Sequence, residues 1–197
     1  MTRTPFLKPE EMSPDQRRIY EEIYASRGTW LNGPFAPMLH SPPLADSAQK
    51  LGEFVRYHTS LPPVLTELAI IMVARHYDCP FEWVQHARIA LAAGVPAEVV
   101  EAIRNGKSPA GQAANAQIIY DFAHALLTTN RIPDKLYDAA RSAFGVTGVV
   151  ELVGLMGYYT LIAFCLNAHE VPMPAGAESQ LPDLRHPPAE PSDGVTA

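Results

Sequence analysis

Proline placement is the feature that most limits what this chain can fold into. Seven of its 19 prolines fall in residues 1–43, six in 172–197, and only six in the 128 residues between. A proline inside a helix removes a hydrogen bond and clashes with the preceding turn, whereas one in the first helical turn is tolerated. The middle of the chain is therefore free to run as helices, and its prolines mark where they start. Apolar residues there recur at helical rather than alternating spacing, so the expected fold is all-α. Ser13-Pro14-Asp15 opens a helix to about Ala25, with Ser13 as cap. Ser41-Pro42-Pro43 opens a second, carrying Leu44, Ala48, Leu51, Phe54 and Val55. Leu61-Pro62-Pro63 leads into Val64–Tyr77, with an apolar stripe of Leu65, Leu68, Ala69, Met72 and Val73. Asp78-Cys79-Pro80 starts a helix that runs to Ala93 and stops at Gly94. Further helices are expected at Ala97–Asn105, Gln112–Thr128, Asp134–Phe144 and Gly148–Ala168. Residues 1–171 form one helical domain, and the Pro-rich segment 172–197 an extended or disordered tail.

Composition narrows the class. Across 197 residues, 47% are hydrophobic and 18% charged, with a formal net charge of −6. A chain of this length can bury roughly 70% of the surface its unfolded form exposes, so a core is possible without staples. An acidic pI near 5.6 and the lack of Lys/Arg runs argue against nucleic acid as a partner. Cys79 and Cys165 are too few and too far apart for a disulfide scaffold or a zinc site, which fits a reducing cytoplasm. The first residues contain no apolar stretch of the kind an export signal needs. The longest uncharged stretch, Leu152 to Ala168, falls short of the ~20 apolar residues of a membrane span and reads as a core helix.

Four residues gather chemistry in one short segment. Glu82 and His86 stand four apart on one helix and share a face. Glu67 lies on the preceding helix, which a tight turn near Asp78 folds back antiparallel. Cys79 precedes Pro80 at a helix N-terminus, where the dipole and free N–H groups favour a thiolate. Each has a plain structural alternative: Glu82 as a helix-start acid, Cys79 as a small buried hydrophobe, His86 as a satisfied core histidine.

The stretch Leu61-Pro62-Pro63-Val64-Leu65-Thr66-Glu67-Leu68-Ala69-Ile70, then Cys79-Pro80-Phe81-Glu82-Trp83-Val84-Gln85-His86-Ala87 and Ala93-Gly94-Val95-Pro96, resembles the carboxymuconolactone decarboxylase and AhpD-like family. The resemblance is firmest over residues 60–105 and implies an AhpD-like helical fold. In the alkylhydroperoxidase branch a Glu is followed by a Cys-x-x-Cys pair and a His. Glu67, Cys79 and His86 match that pattern, while Glu82 stands where the second cysteine would be. The missing resolving thiol weakens a dithiol peroxidase cycle. A glutamate there resembles the decarboxylase side, whose members work without metal or organic cofactor on small acidic carbonyl compounds. The family also implies a homo-oligomer, trimer or hexamer, and the apolar last helix is the candidate interface.

The expected catalytic set is accordingly His86 as acid/base with Glu67, Cys79 and Glu82 around it. Candidate substrate contacts are Trp30, Phe35 and His40 in a Pro-aromatic loop, Trp83, and Tyr158 beside Tyr159 on the last helix. Among basic groups near the motif, Arg56, Arg75, Arg88 and Arg104, the pair Arg75 and Arg88 are candidate carboxylate clamps. No His spacing suggests a metal, no cofactor is expected, and the partner is a small molecule with neither nucleic acid nor membrane. Three functions stay open: cofactor-independent decarboxylation or isomerisation of a small carbonyl or lactone acid, thiol-dependent hydroperoxide reduction through Cys79, and ligand binding by a non-catalytic oligomer.

Overall fold

A computed structural model describes residues 2–27 and 33–184, and among them there is no strand. A 3-10 turn at Pro9–Glu11 leads into α1 (Pro14–Arg27), a single turn α2 (Phe35–Met38), then α3 (Pro42–Tyr57), α4 (Pro63–His76), α5 (Pro80–Ala93), α6 (Ala97–Arg104), α7 (Ala114–Thr129) and α8 (Asp134–Ala168). The all-α expectation holds, with most boundaries within two residues of those expected. Proline occupies the first helical position of α1, α3, α4 and α5, where its missing N–H costs nothing. Ser13 caps α1 reciprocally: its Oγ accepts from the Gln16 N–H, and the Gln16 side chain accepts from the Ser13 N–H.

α4 is the central element. Every residue from Leu65 to Arg75 is buried, and the helix packs against α5, α7 and α8. The α4–α5 hairpin is closed by a left-handed residue, Asp78 at φ 46°. The Cys79 N–H reaches back to the Ala74 carbonyl and the Asp78 N–H to that of Arg75, satisfying the last carbonyls of α4. Arg75 Nη1 holds the Asp78 carboxylate at 2.6 Å, which pins this turn. α5 ends the same way at Gly94, φ 102°, with the Val95 N–H on the Ala90 carbonyl. Nothing lies within 4 Å of where a Gly94 side chain would sit, so only the backbone resists one. Gly94→Ala is expected to lower stability by about 1 kcal/mol through that positive φ, read as a shift in denaturation midpoint; an unchanged midpoint contradicts it.

Three sequence expectations need correction. The Pro-aromatic segment contains the helical turn α2 rather than only loop, because Phe35, Ala36, Pro37 and Met38 are all buried and the turn satisfies their backbone. On α3 the buried face is Ala45, Ala48, Gln49, Gly52 and Val55, while Leu44, Leu51 and Phe54 point outward. The last two expected helices join as α8, interrupted at Gly145, whose φ 70° and ψ 173° break the helical path between them. By length and composition Asp134–Ala168 is long enough to cross a membrane, but 56% of its most apolar window is buried against the rest of the chain. After α8, Val171, Met173 and Leu181 pack on the core, and Arg104 Nη1 donates to the Gln180 carbonyl.

Candidate functional site

The hairpin sets α4 and α5 side by side, and α8 lies across α4. Where they meet, Glu67 of α4 and His86 of α5 come together with Oε2 and Nδ1 2.7 Å apart, both side chains about 5% exposed. From one turn earlier on α5, Glu82 brings its Oε2 to 3.3 Å from His86 Nε2, also buried. Tyr159 of α8 closes the group, its ring meeting the imidazole edge to face with centroids 5.0 Å apart.

This geometry constrains the protons. The short Glu67 contact needs the imidazole Nδ1 to donate, since an ionised carboxylate can only accept. Nε2 and the Glu82 carboxylate would then be two acceptors facing each other across 3.3 Å. One proton held between them, on Nε2 or on Glu82, turns that repulsion into attraction. The cluster is thus an imidazole fixed in orientation by one glutamate, with a transferable proton beside the other. Sequestration from water strengthens each of these interactions.

Tyr159 feels the same surroundings. Burial pushes its hydroxyl pKa well above the ordinary tyrosine range, Glu82 and, more weakly, Glu67 add to that, and Arg56 opposes it. The phenol stays protonated and serves as a neutral donor.

Cys79 departs from the sequence expectation. It is fully buried at the N-cap of α5. The Glu82 and Phe81 N–H groups do point at its sulfur, yet desolvation outweighs them and Glu82 adds repulsion, so the thiol is pushed up to about 12. The helix-end argument was sound for an exposed sulfur, and burial reverses it. Cys165, the other free cysteine, donates to the Pro34 carbonyl and is raised to about 11 by burial. Two consequences are measurable. Alkylation of the native protein is expected to show no thiolate plateau below about pH 10, and a plateau near neutrality contradicts it. Because the folded pKa of Cys79 lies above its ordinary value of 9.0, the unfolded chain sheds the proton first, and stability is expected to fall as pH rises above about 9.

Other expected contacts divide. Trp83 is fully buried on α5, and among the described residues its indole Nε1 has no hydrogen-bond partner. Tyr158 stacks edge to face on Tyr159 rather than on His86, so the inward tyrosine of that pair is Tyr159. Phe35 is buried on α2. His40 is exposed and bonds the Pro5 carbonyl through Nε2, which ties it to the N-terminal segment instead of the site. Arg75 is committed to Asp78 and is no substrate clamp; Arg88 is exposed. Trp30 lies outside the described residues. The cation that does face the cluster is Arg56, in the last turn of α3, and nothing in its local sequence distinguishes it from the other arginines.

Residues 42–124 match the model of the carboxymuconolactone decarboxylase family, a span containing Arg56, Glu67, Cys79, Glu82 and His86. No curated protein sequence matches the chain. Among solved structures, the AhpD core of an uncharacterised peroxidase-related protein from Ralstonia eutropha JMP134 superposes with a TM-score of 0.72 at 15% identity, over 88% of this chain and 93% of that one. A peroxidase-related protein from Silicibacter sp. TM1040 gives 0.71 at 14% identity over 88% and 92%. The debrominase Bmp8 in complex with 2,3,4-tribromopyrrole gives 0.69 at 14% identity over 89% and 92%. At such identities these structures establish the fold alone. The match over residues 42–124 and the shared helical architecture together place this chain in the carboxymuconolactone decarboxylase family, on an AhpD-like fold.

Proposed function

We propose that the protein is a cofactor-independent acid/base catalyst acting on a small carbonyl or lactone acid by decarboxylation or double-bond migration. The observation that carries this reading is the buried Glu67–His86–Glu82 arrangement, with contacts of 2.7 and 3.3 Å on the two ring nitrogens. Glu67 fixes the imidazole, and the proton between Nε2 and Glu82 is the one that moves. In decarboxylation the bond to the carboxylate carbon breaks, and its electron pair enters the conjugated carbonyl as an enolate. CO2 leaves, and His86 delivers its proton to the ring carbon; the net change is one carboxylate and one proton consumed, one C–H bond and CO2 formed. In double-bond migration the same nitrogen removes a proton and returns it at another carbon.

The support for thiol chemistry is weaker. A hydroperoxidase needs an accessible thiolate, and Cys79 is fully buried with its thiol pushed up to about 12. A debrominase on this fold shows that the scaffold serves other small cyclic substrates. The test is CO2 release from carboxylated γ-lactones. His86→Ala is expected to lower turnover about 10²- to 10⁴-fold, the usual contribution of a positioned acid/base group; unchanged turnover contradicts the assignment.

The working form is proposed to be a homo-oligomer, trimer or hexamer. Val146, Val150, Val153, Leu161 and Phe164 line one exposed stripe of α8, and Leu44, Leu51, Phe54 and Tyr57 another on α3. α3 packs on α8, and the Ser60 N–H and hydroxyl both bond Glu151 where they meet. Apolar stripes of this size in water favour association. Light scattering is expected to give a multiple of the 21.5 kDa chain mass; a monomer mass contradicts it.

A further inference from the structure

Resting on the proposed acid/base site, we infer that Arg56 and the Tyr159 hydroxyl form the oxyanion subsite of that site, the place where a negatively charged substrate oxygen is held beside His86. The two groups come from different helices, α3 and α8, that pack against each other. Val55, the residue before Arg56, is about 1% exposed and anchors that end of α3 in the core. Arg56 itself is only half-buried, with its guanidinium carbon 5.2 Å from the centre of the Tyr57 ring. Among the described residues it makes no ion pair and no hydrogen bond, although half a dozen other arginines are paired with a carboxylate or a carbonyl. The Tyr159 hydroxyl likewise has no hydrogen-bond partner among the described residues, while its ring is locked between His86 and Tyr158.

Two unspent donors, one cationic and one neutral, therefore lie on the same side of an acid/base imidazole. A half-buried guanidinium is a strong oxyanion partner because its fixed fork needs little reorganisation and its charge is weakly screened. The opposing charges are Glu82 and Glu67, both of which act on Tyr159. Two buried carboxylates would repel an anion, so binding one here depends on the nearby cation. Electrostatic stabilisation of a developing oxyanion is often the largest single contribution to such reactions.

Direct binding experiments on the full-length protein separate the possibilities without requiring turnover. 4-Nitrophenol, whose absorbance reports its ionisation, stands in for an enolate oxygen, and 2-furoate against 2-furamide stands in for a carboxylate. Bound 4-nitrophenol is expected to ionise at a lower pH than the free dye, and 2-furoate to bind at least tenfold more tightly than its amide. Arg56→Gln is expected to abolish the dye shift and weaken 2-furoate at least tenfold while leaving 2-furamide unchanged, with Arg56→Lys intermediate; Tyr159→Phe reduces the dye shift. A shift confined to the dye assigns the subsite to the enolate oxygen, and a preference confined to furoate assigns it to a carboxylate. If Arg56→Gln leaves both anion responses intact, if it weakens furoate and furamide equally, or if the wild-type protein binds neither anion, the inference is overturned. His86→Ala keeps both anion responses if the subsite exists, so a wrong acid/base assignment and a wrong subsite give different results.

Discussion

Glu67→Ala is expected to destabilise the folded protein by about 3 kcal/mol, the cost of removing one partner from a buried charged pair. The His86 Nδ1–H would be left facing an apolar void in a region where both side chains are about 5% exposed. Glu67→Gln keeps an acceptor at the same place and is expected to cost about 1 kcal/mol, the worth of a weakened hydrogen bond. Chemical denaturation of the two variants beside wild type checks this. A Glu67→Ala protein as stable as wild type would mean that the pair is not held as described.

Trp83→Ala carries the largest expected loss of stability, about 4 kcal/mol, because truncating a fully buried indole leaves a cavity that the surrounding helices fill only in part. Trp83 is 0% exposed on α5, whose main neighbour is α4. Its unpartnered Nε1 makes Trp83→Phe the informative companion. Phenylalanine keeps much of the apolar contact and removes a buried donor, so it is expected to cost less than half as much as alanine. Loss of under 1 kcal/mol for Trp83→Ala in urea unfolding contradicts the packing described for this helix pair.

Local signals in the sequence carried the elements that build the site. Pro80 and Gly94 bound α5 because a proline at the start and a glycine at the end act within one turn. The four-residue step from Glu82 to His86 is likewise a property of one helix, and their 3.3 Å contact follows from it. The approach of Glu67 depends on how the α4–α5 turn closes, which Asp78 and Arg75 decide together and no spacing rule expresses. Longer-range facts stayed hidden. Whether Tyr158 or Tyr159 meets His86 is set by the rotation of α8 about its axis, and Arg56 differs from Arg75 only in what surrounds it in space. Cys79 shows the same limit in reverse: its helix-end position is local and favours a thiolate, while the burial that overrides it is a property of the packed core. On α3 the bulky Leu44, Leu51 and Phe54 look like a core stripe by composition, yet the small residues Ala45, Ala48 and Gly52 face inward, where they let α1 and α8 approach closely.

The central claim is that the working group is the imidazole and not the thiol, and paired turnover of His86→Ala and Cys79→Ser on one carboxylated lactone tests it most directly. With both variants shown to be folded, Cys79→Ser is expected to keep turnover within about tenfold of wild type and His86→Ala to lose about 10²-fold or more. The reverse order, with activity surviving in His86→Ala and vanishing in Cys79→Ser, would contradict the account and put the chemistry on sulfur.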